Sequence, residues 1–175
     1  MPKPTSTSAA LPIAYVVLRL LIVFNWLIGA AILALLLVMP NERWIMSAFG
    51  LTPSPEAHRV VVGLRAVAVV GLVTIPLNFA VLKRLLAMVE TVRAGDPFVA
   101  ANAYRLRAIA RLLLALQLLS LVIAAIAAAI STPAHPVDLD AGFSINGWLA
   151  VLLTFVLARV FAEGTLMRED LAGTV

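Results

Sequence analysis

The chain has no cysteine and only two histidines in 175 residues. Disulfides, thiolate metal sites and cysteine nucleophiles are therefore excluded. His58 and His135 stand alone, with no HExxH-type neighbour. Charge is scarce as well: Asp, Glu, Lys and Arg make up 13% of the chain, against about 25% in a soluble domain. No GxSxG, no phosphate-binding glycine loop and no pair of carboxylates within an apolar run occurs, so the common hydrolase, nucleotide and acid–base constellations are missing. The residues argue for a non-enzymatic protein without metal or cofactor.

Apolar residues take the place of charge. They form 63% of the chain, and the mean hydropathy is +1.06. Polar residues are too few to cover a globular surface, so lipid must cover much of it. Four apolar runs of spanning length, about 13–39, 60–82, 112–130 and 145–161, predict an all-α, four-transmembrane-helix bundle. The first run is too long for the core of a signal peptide and reads as an uncleaved span. Residues 1–12 have the composition of a disordered tail, 13–172 form one membrane domain, and 173–175 are a fraying end. Trp44, Phe49 and Trp148 suit the interfacial belt. Pro76 should kink the second span or be accommodated locally. Alanines four apart, Ala124 with Ala128 and Ala125 with Ala129, suit close helix contact.

The polar middle, 83–111, holds six of the thirteen basic residues. It reads as a helical hairpin extending helices two and three into the cytoplasm. Gly95 suits the left-handed position that ends a helix. Asp96 suits an N-cap and Pro97 the first turn of the next helix, with Phe98 on its apolar face. With this hairpin and both termini inside, ten basic residues lie on the cytoplasmic side and three (Arg43, Arg59, Arg65) outside. That asymmetry is the positive-inside pattern of an inner-membrane, multi-pass protein. The pI near 10.3 reflects this topology and gives no reason to expect direct nucleic-acid binding.

Several polar residues stand in or near the spans. Arg19 and Arg159 snorkel to an interface. Arg65 lies where Glu42, Glu56, Asp138 or Asp140 could pair with it. Asn25, Asn78 and Gln117 lie deeper, where amides commonly hydrogen-bond between helices. A solute path would instead need Arg65, Asn78 and Gln117 to face one shared cavity. The segment from His135 to Asp140 is an ordinary proline-containing loop and is assigned no metal. At the hairpin, the null expectation for the basic residues is contact with anionic headgroups. Arg93, Asp96, Phe98, Asn102, Tyr104 and Arg105 also supply the charges, amide and aromatics of a protein contact.

Gly95, Asp96, Pro97 and Phe98, followed by Asn102 and by Arg105, Leu106 and Arg107, resemble a bacterial family known as domain of unknown function 2975. The stretch Phe161, Ala162, Glu163, Gly164, with Leu166, Arg168, Glu169, Asp170 and the final Thr174 and Val175, resembles that family's ending. The resemblance implies an integral membrane protein of unassigned activity, often encoded beside a small helix-turn-helix repressor of the Xre type. The leading expectation is a membrane-bound regulatory or sensory module that docks such a regulator through the basic hairpin. A small oligomeric transporter or channel and a structural membrane module are the alternatives.

Overall fold

The computed structural model describes residues 10–38, 46–47, 50, 52, 54–131, 137 and 140–172, with the side chains of 38 and 169–172 excepted. The predicted positions of Glu42, Trp44, Phe49, His135 and Asp138, and the two chain ends, lie outside these residues. Four long helices run through the described residues: α1 (Ala10–Val38), α2 (Pro55–Arg93), α3 (Ala100–Ile130) and α4 (Ile145–Ala172). Each is long and apolar enough to cross a membrane, and no strand occurs among the described residues. This is the all-α four-helix bundle that the hydropathy pattern predicts, and it fits a multi-pass membrane protein.

The helices pack in chain order, α1 on α2, α2 on α3 and α3 on α4, and no other pair of helices is in contact among the described residues. The outer two helices consequently bury one stripe and expose the rest. Phe24, Leu27 and Leu37 on α1, like Leu152, Leu153 and Val156 on α4, are large apolar side chains left open. Water would penalise such a surface heavily, whereas hydrocarbon does not.

Close approach between the helices depends on glycine. On α1, Gly29 faces Ile75 of α2, and a β-carbon there would come within 3.0 Å of the Ile75 side chain. On α2, Gly63 lies directly against Ile130 of α3, and a β-carbon would overlap it. The alanine repeat of α3 is not the contact that the spacing suggested: Ala125, Ala128 and Ala129 are exposed. Ala124 meets the glycine loop before α4 instead. One side of the close contact comes from α2, which the alanine spacing alone did not reveal.

Pro55 opens α2 at a position where its missing N–H costs nothing, and the Ser54 hydroxyl accepts from the Ala57 N–H at 3.1 Å. At 39 residues, α2 is about 58 Å long, roughly twice the hydrocarbon thickness. Its excess and that of α3 form the predicted hairpin, but not as a bare projection. The start of α1 lies along one arm, where the Tyr15 ring stands 5.1 Å from the Arg93 guanidinium and 5.0 Å from that of Arg19. The end of α4 lies against the turn on the other side.

At the opposite end, α3 continues to Ile130 while α4 begins alongside Gln117 and Ser120. The stretch from Ser120 to Ile130 corresponds to about 15 Å of helix. The start of α4 therefore lies well back along α3 from Ile130. Val137 packs on the buried cluster of Ala57, Val60 and Val61, and Gly142 reaches Ser120.

The Gly63 contact predicts a stability effect. Gly63→Val should lower stability in detergent by about 1–3 kcal/mol through overpacking, and Ile130→Ala in the same background should restore part of it. Equal thermal unfolding of Gly63→Val and wild type would contradict this approach of α2 to α3.

Candidate functional site: the hairpin turn and the end of the last helix

Gly95 takes φ +84°, and the backbone there closes α2 in a Schellman turn. The Asp96 N–H bonds to the Thr91 carbonyl at 3.0 Å and the Gly95 N–H to the Val92 carbonyl at 3.0 Å. The helix stop predicted at Gly95 is thus in place. The helix start is not. Residues 96–99 are not helical, α3 begins at Ala100, and Val99, itself extended, caps it without a side-chain bond. Asp96 is not an N-cap, and Pro97 and Phe98 precede the helix.

Other contacts claim those residues. The Asp96 carboxylate accepts from the Arg168 guanidinium near the end of α4. The Phe98 ring lies 5.3 Å from that of Phe161, centre to centre, and rests on Gly164, where a β-carbon would approach it to 3.2 Å. The non-helical segment turns Phe98 onto α4, and the glycine at 164 makes room for it. Residues that resemble one family at two distant places in the chain thus meet in one clasp.

Asn102 holds the turn from inside. It is fully buried; its amide N–H groups donate to the Thr91 hydroxyl at 2.7 Å and the Pro97 carbonyl at 2.9 Å. Its carbonyl oxygen accepts from the Arg105 guanidinium at 2.7 Å. Arg105 also reaches the Ala87 carbonyl at 3.5 Å. Thr91 passes its own proton to the Met88 carbonyl at 2.7 Å. This network joins the last turns of α2, the loop and the first turns of α3, and leaves the Asn102 side chain no surface of its own.

The other hairpin candidates are more accessible. Tyr104 is 71% exposed, Arg93 is exposed beside Tyr15, and Asp96 and Phe98 are partly open despite the clasp. Sequence reasoning missed Thr91 and Tyr15 as partners and did not foresee that Gly164 and Arg168 meet the turn. An isolated glycine in a helical tail was the available signal, since it commonly marks a close approach.

Two of the deeper polar residues sit at separate interfaces. Asn25 is buried and donates to the Ile75 carbonyl at 3.1 Å, joining α1 to α2. Gln117 is buried between α3 and the start of α4, donating to the Gly142 carbonyl at 3.4 Å, with Gly147 against its amide. Asn78 and Arg65 are half-buried on α2. Among the described residues no three His, Cys, Asp or Glu side chains gather in a group able to hold a metal.

The burial of these groups ranks them. Asn102→Ala strands donors and acceptors inside the turn and should cost about 1–3 kcal/mol, with faster amide exchange across residues 96–102. The Asp96–Arg168 pair is open to solvent on both sides. A double-mutant cycle of Asp96→Asn and Arg168→Gln should couple by only about 0.2–1 kcal/mol. A larger loss for Asp96→Asn than for Asn102→Ala would reverse this order.

No curated protein and no solved structure matches the chain. A family model described as protein of unknown function (DUF2975) matches residues 36–175, which include the turn, Asn102 and the clasping end of α4. The chain belongs to that family.

Proposed function

We propose that this chain is a non-enzymatic regulatory or sensory module of the bacterial inner membrane, with the hairpin and both termini in the cytoplasm. In this reading the hairpin end docks a soluble helix-turn-helix regulator of the Xre type, and the chain itself contacts no nucleic acid. The single observation that carries it is the meeting of the Gly95–Phe98 turn with Phe161, Gly164 and Arg168 at the most basic end of the bundle. The orientation rests on the excess of Lys and Arg at that end.

Arg93 and Tyr104 supply exposed contacts beside the clasp, while Asp96 and Phe98 belong to its edge. Asn102 and Arg105 act through the turn that they hold. No specific observation favours transport, because Asn25 and Gln117 are each engaged at a separate interface.

The test is co-purification from mild detergent at matched expression. Wild type should bring down one helix-turn-helix protein, and Asp96→Ala/Phe98→Ala should lose it. Arg168→Gln removes the ion pair but keeps both turn residues and the Phe98 contact, so it separates the contribution of the tail's charge from that of the turn. Absence of such a protein from the wild-type sample would refute docking.

A further inference from the structure

The cleft between α3 and α4 changes character along its length. Toward the hairpin end it forms a groove of about 230 Å3, with Ala100, Ala103, Tyr104, Arg107, Ala162 and Leu166 among its walls. Toward the other end, Leu114, Trp148, Leu152 and Phe155 help line an apolar groove of about 530 Å3. The two grooves share a face of each helix. Ala100, Arg107 and Leu114 are spaced seven apart, as are Trp148, Phe155 and Ala162, and seven residues return a helix to within about 20° of its starting direction.

Arg107 lines the small groove at its inner end, and Arg111 follows four residues on along α3. Arg107 and Arg111 are exposed on consecutive turns of α3, and among the described residues neither makes an ion pair. Arg159 of α4 is engaged by Glu163 at 2.6 Å, which also occupies the nearest carboxylate on that helix.

We propose that this cleft binds one anionic phospholipid from the leaflet at the hairpin end. Its acyl chain follows Leu114, Leu152 and Phe155, its phosphate lies between Arg107 and Arg111, and its headgroup rests over Ala103 and Tyr104. The order of apolar groove, paired guanidinium groups and small mixed groove is the order of a phospholipid read from tail to headgroup. Guanidinium groups suit phosphate oxygens because they present several donors in a plane. A free anion would use the arginines but not the apolar groove, and a soluble protein would not reach the groove within the membrane. The proposal is independent of any docked regulator.

Native mass spectrometry of the protein in mild detergent, supplied with equimolar phosphatidylglycerol and phosphatidylcholine, tests it. Wild type should retain a single phosphatidylglycerol. Arg107→Gln/Arg111→Gln should weaken that retention by about tenfold or more, given roughly 1 kcal/mol per basic residue at an anionic surface. Leu152→Trp, which fills the apolar groove, should weaken retention of both lipids. Lys83→Gln lies outside the cleft and should leave retention unchanged; size-exclusion profiles confirm that each variant is folded. Equal retention of the two lipids by wild type would overturn the proposal. So would an equal loss in Lys83→Gln, which indicates diffuse surface charge, full retention in Leu152→Trp, or displacement by inorganic phosphate alone.

Discussion

A backbone polar group inside hydrocarbon has no water to bond with, so every break in a helix at membrane depth needs a partner from within the chain. The loop before α4 meets that constraint at Gly142, whose carbonyl accepts from both Gln117 and Ser120. The three amides buried among the described residues, Asn25, Asn102 and Gln117, each donate to the backbone carbonyl of another segment. Asn25 bonds to Ile75, the residue before Pro76, close to where the missing proline N–H deprives the Leu72 carbonyl of its helical partner. Gln117 bonds to Gly142, whose φ of +121° lies outside any helix. Asn102 bonds to Pro97 in the non-helical link between α2 and α3.

Hydroxyl groups follow another rule. Thr74, Thr154 and Thr165 donate to carbonyls three or four residues back in their own helices, so their polarity is hidden locally. An amide carries two donors and an acceptor, more than its own helix can satisfy, and must reach another element. Thr91 links the two modes: it donates within α2 and accepts from Asn102. The hairpin is therefore joined by a connected network of hydrogen bonds, whereas α1 adds to its Asn25 bond the packing of Trp26 against Phe79 of α2 at 5.5 Å.

The spans were legible because hydropathy over about 20 residues is a strong and local signal. Gly95 was legible for a similar reason, since a left-handed residue after a helix is nearly always a local matter of the missing β-carbon. The start of α3 was misread because Asp96, Pro97 and Phe98 have all the local features of a helix N-terminus. Arg168 takes the carboxylate, Gly164 and Phe161 take the ring, and Asn102 takes the Pro97 carbonyl. These are contacts over long sequence separations, and they override a capping preference of only about 1 kcal/mol. The start of α4 beside Gln117, rather than level with Ile130, was invisible for the same reason. Its markers, Ser120, Gly142 and Gly147, look like ordinary polar and turn residues until they are seen together.

The clasp also explains why the residues that resemble the family are divided between the hairpin and the end of the chain. α4 packs on α3 alone, along a face of apolar and small side chains that could shift by a turn without exposing anything that lipid would reject. Such a contact fixes direction well and register poorly. Contacts at both ends of α4 remove that freedom. Gly147 must fall where Gln117 reaches the loop, and Gly164 must fall under Phe98. A glycine in either place lowers intrinsic helix stability by about 1 kcal/mol; it is retained here because a β-carbon would hold the two helices apart. Register in the membrane is thus set by two missing side chains, with the Asp96–Arg168 pair closing the solvent-exposed end.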